Sequence, residues 1–187
     1  MHFLNGTKFI CGHNIFNHDL KHIGKALHEA GIKDVKIIDT LFLSPLLFPT
    51  NPYHALLKDD KLQSEDSNNP LNDSIKARDL FYDEIAAFKR ADSTLQQIFY
   101  LLLKDKKEFQ SFFLFIDYSC PSTAIEELIR IKFQNEICEQ VDLVKIIVEQ
   151  PIELAYCLSI IHSFIHYKKL HSITPRWVLK NYPEVEQ

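Results

Sequence analysis

Glycine is scarce in this sequence, with 4 among 187 residues. No apolar run reaches the roughly 18 residues that a membrane-spanning helix needs. So little glycine excludes a turn-rich β-sandwich, and the apolar segments favour helices. The N-terminal residues also lack the basic segment and long apolar core of a secretory signal. We therefore predict a cytoplasmic protein without a membrane partner.

Paired cysteines and an excess of positive charge are missing too. The four cysteines are widely spaced without a CxxC pair, which predicts free, mostly buried thiols in a reducing compartment: Cys11, Cys120, Cys138 and Cys157. The net charge is −4. Any contact with nucleic acid would therefore need a local basic patch, because the chain as a whole does not attract phosphate.

The first forty residues have the pattern of a βαβ unit with a right-handed crossover. In chain order it comprises a strand at Phe9–Cys11, a helix at His18–Ala30 and a second parallel strand at Val35–Thr40. Asn14 or Asn17 would cap the helix, and Gly31 would end it. The predicted fold class is therefore α/β.

Beyond this unit the pattern becomes helical. Three prolines predict irregular structure from Ser44 to Pro52, and a polar segment predicts a loop from Lys58 to Asn72. The remaining apolar spacings predict helices at Asp73–Lys89, Ser93–Lys104, Lys107–Asp117, Ser122–Ile137, Val141–Glu149 and Ile152–His166. Ser122 is a plausible helix cap, and Pro151 suits a first helical turn.

Asp19 is the residue most suggestive of chemistry, because it opens a helix directly after a buried strand. A strand end fixes the position of a carboxylate while leaving it open to water, as a metal ligand requires. The alternative is that Asp19 only stabilises the positive end of the helix dipole.

The segment around Asp19, GHNIFNHDLKHI at residues 12–23, resembles the second exonuclease motif of the DnaQ-like (DEDD) superfamily. The following IDTLFLSPLLFP resembles that family's next strand and cleft loop. The resemblance implies a ribonuclease-H-like fold and two Mg²⁺ or Mn²⁺ ions held by four carboxylates. It assigns metal binding to Asp19 and Asp73, and contact with single-stranded 3′ ends of DNA to Asn14 and His18.

Two departures from the family pattern concern activity. The family's D-x-E motif precedes the segment seen here, but residues 1–8 contain no Asp or Glu. The positions of the general base hold Asn68 and Asn69, which cannot take a proton from water near neutral pH. We therefore expect a partial domain without 3′–5′ exonuclease activity as this chain alone, and with no catalytic residue to name.

Residues 151–161 and 173–183 resemble a segment of large bacterial proteins in which a DnaQ-like domain precedes a RecQ-type helicase. This resemblance implies a partial exonuclease domain at residues 1–91 and a mostly helical connector at residues 92–187. It implies a role in DNA repair or recombination, with a helicase module as partner. No Walker A sequence is present, so no ATPase activity is expected.

Several alternatives remain open. The chain could be a non-catalytic module that docks DNA or a protein, and an unpaired strand edge could support a homodimer. Trp177 could stack on a base or, more simply, pack a C-terminal helix onto its domain. A basic cluster near the C-terminus could touch phosphate or be a solvated connector: Lys168, Lys169, His171, Arg176 and Lys180. A zinc site would use Cys11, His13, His18 and His22.

Overall fold

A computed structural model describes residues 6–32, 34–51, 54, 70–167 and 176–186. Two strands, β1 (Phe9–Gly12) and β2 (Lys36–Asp39), form a parallel pair joined through helix α1 (Leu20–Glu29). The pairing aligns Phe9 with Lys36 and Gly12 with Asp39. The predicted strand–helix–strand order is therefore confirmed, and both strands end at the same edge of the sheet.

The rest of the described chain is helical. In order it contains α2 (Thr40–Leu47), α3 (Pro70–Arg90), α4 (Ser93–Leu103), α5 (Gln110–Phe115), α6 (Ile125–Lys132), α7 (Leu143–Glu149), α8 (Pro151–Tyr167), α9 (Arg176–Asn181) and a 3-10 helix (Pro183–Glu186). The coarse prediction, an α/β unit followed by a largely helical C-terminal part, is thus confirmed. No helix in the described part of the chain combines the length and apolar character needed to cross a membrane.

The end of α1 follows the sequence prediction, but its start does not. Gly31 has φ of 70°, and the N–H of Ile32 donates to the Leu27 carbonyl, which closes the helix as expected. At the other end Asp19 holds the N-cap position without a side-chain capping bond. Asn17 instead donates to the Asn14 side chain (2.8 Å). The prediction of an asparagine cap is therefore wrong.

The proline-containing segment is more regular than predicted, because α2 continues through Pro45 to Leu47. Other helices begin or end a few residues from their predicted limits; α6, for example, starts at Ile125 with Ala124 rather than Ser122 before it. Pro151 does begin α8. Most of the predicted loop at residues 58–72 lies outside the described residues, and its last three residues belong to α3.

The thiols are less buried than predicted. All four are free, but Cys11 and Cys138 are exposed, and Cys120 and Cys157 are partly exposed. Packing of aromatic and aliphatic residues, rather than thiols, makes up the core.

One hydrophobic cluster joins the sheet to the helices. It contains residues from before and after position 91, including Ile38 and Phe42 from the first part and Phe112, Leu143 and Tyr156 from the second. Aromatic rings meet edge to face within it, as for Phe42 with Phe109 (centroids 6.4 Å apart). The α2 helix packs against both α3 and α8, which places it between the two parts.

Candidate nucleic-acid interface

Asp39, the last residue of β2, organises the carboxyl edge of the sheet. It is fully buried. One carboxylate oxygen accepts from the backbone N–H groups of Asn14 (2.6 Å) and Leu41 (3.0 Å), and the other accepts from that of Phe16 (3.1 Å). Burial raises the pKa of Asp39, while these three N–H groups oppose the rise. The carboxylate thus caps α2 and holds the turn after β1.

The turn after β1 requires an unusual backbone at Asn14, whose φ is 59°. Asparagine tolerates this left-handed conformation better than most residues with a side chain. Gly12 lets the chain fold closely here, since a Cβ added to it would lie 3.2 Å from side-chain atoms of Ile15. This local conformation sets Asn14, Asn17 and His18 beside the ends of the strands.

Two histidines at this edge bond to hydroxyl groups of α2. The Nδ1 atom of His13 lies 2.9 Å from the Thr40 hydroxyl, and Nδ1 of His54 lies 2.7 Å from that of Ser44. Burial lowers the pKa of His13 to about 4, an effect that a hydrogen bond with the His54 backbone partly offsets. Burial, followed by the proximity of His13, lowers the pKa of His54 to about 4 as well. Both rings are therefore neutral near pH 7.

Helix α9 supplies the opposite wall. Trp177 packs edge to face on Phe42, with ring centroids 5.0 Å apart, and the neighbouring Val178 is fully buried. The prediction that Trp177 packs its helix onto the protein is confirmed. Arg176 and Lys180 are exposed on the same helix and form no ion pair with any described residue.

A pocket with a volume of about 500 Å³ lies between these walls. Its described lining comes from the turn after β1, the segment around α2, and α9: His13, Asn14, Asn17, His18, Leu41, His54, Arg176, Trp177, Lys180 and Asn181. None of these residues is Asp or Glu, whereas Arg176 and Lys180 are basic, so the described lining is basic in a chain whose net charge is −4.

The sequence-predicted site residues divide into two groups. Asn14 and His18 both line the pocket, next to Arg176 and Lys180 from the predicted basic cluster. Lys168, Lys169 and His171 of that cluster lie outside the described residues. Asp19 is exposed at the start of α1, close enough to Asp39 to help raise its pKa, and Asp73 is exposed in the first turn of α3.

Among the described residues, neither predicted metal ligand belongs to a group of three or more metal-ligating side chains. Within the described ranges, no three His, Cys, Asp or Glu side chains are grouped so that they could hold a metal ion. This applies to the proposed zinc set at Cys11, His13, His18 and His22 as much as to the carboxylates.

Glu84 of α3 is the other notable carboxyl group. It is fully buried, and neither of its carboxylate oxygens has a hydrogen-bond partner among the residues described. Burial raises its pKa well above the usual range, with further contributions from Asp39 and Asp83. Burial therefore favours the uncharged acid, and Glu84 does not line the pocket.

Sequence reasoning missed the most central residue of this edge. Asp39 was part of a predicted strand, yet Asp directly before an apolar helix is a frequent cap and could have signalled its role. The sequence offered His54 only as a loop residue that could reach the cleft, because its partner Ser44 and its neighbour His13 are brought to it only by the fold. Comparisons of the chain with protein-family models, curated proteins and solved structures gave no match.

Proposed function

We propose that this chain binds single-stranded DNA ends at the pocket, as a module of the DnaQ-like exonuclease type that works beside a helicase in DNA repair or recombination. One observation carries the proposal: α9 brings Arg176, Trp177 and Lys180 opposite Asn14 and His18 across one pocket. Cationic groups beside an aromatic ring are what single strands need, because phosphates attract the cations and bases stack on the ring.

The family resemblance and the pocket support the proposal independently. The resemblance selected Asn14 and His18 from their motif, without reference to α9. The pocket joins these two residues to the basic and aromatic residues that were noted separately near the C-terminus. The ribonuclease-H-like arrangement and the helicase partner rest on the resemblance alone.

The binding proposal can be tested by fluorescence anisotropy with a short labelled single strand. We expect Arg176→Ala/Lys180→Ala to weaken binding and to reduce the slope of log Kd against log salt by about 1.4, or roughly 0.7 for each cation. The matched control is Lys89→Ala/Arg90→Ala, which removes the same charge from exposed positions at the end of α3. Equal losses in both variants would mean that only overall charge matters, and the pocket would lose its role.

For catalysis, the non-catalytic alternative is favoured by the sequence, because residues 1–8 contain no Asp or Glu and Asn68 and Asn69 hold the positions of the general base. We therefore propose binding without strand cleavage by this chain alone. Incubation with single-stranded DNA and Mn²⁺ should leave the strand intact. Shortening from the 3′ end that disappears in Asp19→Ala would instead show that a working metal site forms around Asp19.

A further inference from the structure

The outer edge of β2 carries backbone groups that the described chain leaves unpaired. The N–H group of Lys36 donates to the Lys8 carbonyl (2.9 Å), so it points toward β1. Backbone groups of successive strand residues point to alternate sides, so the N–H and carbonyl of Ile37 point away from β1. No third strand pairs there among the described residues, and neither group bonds to a described residue outside the sheet. The edge can therefore accept a further strand.

A groove with a volume of about 260 Å³ lies beside this edge, and we call it the β2 groove. Its described lining comes from the turn after β1, from β2 and the residue before it, and from α5 and the loop before it: Phe16, Val35, Lys36, Ile37, Lys107, Gln110, Ser111 and Leu114. Its volume lies below the roughly 300–1,000 Å³ that small-molecule sites occupy. The size favours a chain that lies along the edge over an enclosed small ligand.

The β2 groove combines apolar and basic side chains. Leu114 is apolar but 56% exposed. Lys36 and Lys107 are exposed as well, and the described lining contains no Asp or Glu. Lys36 forms no ion pair with a described residue, and the Nζ atom of Lys107 lies 3.8 Å from a carboxylate oxygen of Glu108. In a chain whose net charge is −4, this basic lining favours an acidic partner.

We propose that the β2 groove binds an extended segment of a partner protein in which apolar and acidic residues alternate, and that this segment adds to the sheet as a third strand. Its backbone bonds to the N–H and carbonyl of Ile37, its apolar side chains contact Leu114, and its carboxylates lie near Lys36 and Lys107. In strand addition, backbone bonds give affinity and alternate side chains give specificity. A second copy paired edge to edge would bring its own Lys36 to the groove, so charge favours the acidic segment.

Fluorescence anisotropy with a short labelled peptide of alternating valine and glutamate tests the proposal. We expect this peptide to bind about tenfold more tightly than a peptide of alternating valine and lysine. Lys36→Ala/Lys107→Ala should weaken the acidic peptide about fivefold. The matched control is Lys21→Ala/Lys25→Ala, which removes the same charge from exposed positions on α1 and should change little.

Substitutions at Ile37 test whether the peptide bonds to the strand edge. Ile37→Pro removes the N–H group that points away from β1 and should weaken the acidic peptide at least about tenfold. Ile37→Ala is the matched control, because it shortens the side chain and keeps this N–H group, and it should retain most of the binding.

Should Ile37→Pro fail to fold, peptides methylated on alternate backbone nitrogens make the same test with the parent protein. An added strand bonds to the sheet through one of its two edges. Methylation of one alternate set of nitrogens should therefore weaken binding about tenfold, and methylation of the other set should change it little.

Three results would overturn the inference. They are equal affinity for the acidic and basic peptides, equal effects of the two methylated sets, and a dimer in light scattering that the peptide converts to monomers. In the last case a second copy would occupy the edge. Arg176→Ala/Lys180→Ala should keep the peptide affinity of the parent protein, because these cations line the other pocket. DNA binding that depends on them would stand whether or not the peptide binds.

Discussion

At the scale of single residues, Asp39 shows how one buried carboxylate can hold two elements in place. Its oxygens accept from backbone N–H groups of the turn after β1 and from the first turn of α2. The turn carries Asn14, and α2 carries the hydroxyls that bond to the histidines. The geometry of the pocket therefore depends on a residue that does not line it.

Replacing Asp39 by Asn should destabilise the protein and weaken DNA binding together. An amide keeps one acceptor oxygen but turns an N–H donor toward the other backbone N–H groups, so we expect a loss of about 1–3 kcal/mol in the free energy of unfolding. Urea denaturation measures this loss. The control Asp105→Asn, on the surface, should stay within about 0.5 kcal/mol of the parent protein. If Asp39→Asn leaves the free energy of unfolding unchanged, the turn is held by other contacts.

Two histidines, the half-buried His13 and the buried His54, make stability depend on pH in the acid range. Both have pKa values of about 4 in the folded protein, against an ordinary value of 6.5. The unfolded chain therefore binds more protons between these values, and stability falls as pH drops below 6.5 toward 4. Asp39 and Glu84 have raised pKa values and therefore have the opposite effect on stability. Their contribution to the stability of the folded protein is present at low pH and is lost as pH rises.

Removing the histidines should make the folded protein less sensitive to acid. The parent protein should lose unfolding free energy between neutral pH and about pH 4.5, and His13→Asn/His54→Gln should lose less. The difference should be about 1.4 kcal/mol for each unit of pKa shift that the substitutions remove. Urea midpoints of the parent and the variant across this range provide the measurement. If the variant loses as much unfolding free energy in acid as the parent protein, the carboxyl groups alone control this pH dependence.

At the scale of elements, α8 supplies hydrogen-bond donors to α2, a helix that contains Pro45. The ring of proline removes one helical hydrogen bond. Two hydroxyl groups of α8 reach α2 carbonyls: Tyr156 donates to Phe42 (3.0 Å), and Ser159 donates to Leu46 (2.6 Å). The Leu46 carbonyl lies in the last turn, where helical partners are missing, so Ser159 supplies a partner from another helix.

Loss of either hydroxyl should therefore destabilise the protein. Tyr156→Phe and Ser159→Ala each leave a buried carbonyl with one bond fewer, for which we expect about 1–2 kcal/mol in thermal or chemical unfolding. Tyr82→Phe is the matched control, because Tyr82 is 59% exposed, and it should change little. If both tyrosine variants behave alike, the contact between the Tyr156 hydroxyl and α2 contributes nothing measurable.

At the scale of the whole molecule, the hydrophobic cluster contains residues from both sides of the predicted boundary at residue 91. Such shared packing should make both parts unfold in one transition. Circular dichroism and Trp177 fluorescence should therefore report the same urea midpoint, and a fragment of residues 1–91 should show no cooperative unfolding. A cooperative fragment would support two separate domains, as the sequence predicted.

The proposed dimer belongs to the same scale. Within the described chain the sheet has only two strands, which leaves a strand edge where a second copy could pair. Light scattering at increasing concentration should then show the mass rising from that of a monomer to that of a dimer. A constant monomer mass would count against pairing through this edge.

Local sequence was sufficient for much of the architecture. Apolar periodicity predicted the two strands, the crossover helix and most later helices, because burial acts on spacings within a few turns of chain. Gly31 and Pro151 predicted a helix end and a helix start for equally local reasons. The same reasoning failed at Pro45, where α2 is helical and receives hydrogen bonds from hydroxyls of residues more than a hundred positions away.

The sequence by itself determined the βαβ unit, the helical remainder and the choice of Asn14 and His18 as candidate nucleic-acid contacts. Only the tertiary structure decided that these residues face Arg176, Trp177 and Lys180, that Asp39 holds their turn, and that His54 lies buried beside them. The physical reason is distance along the chain. Spacing reveals which residues share a strand or helix, whereas a pocket depends on which faces pack together, and that is settled by the whole core.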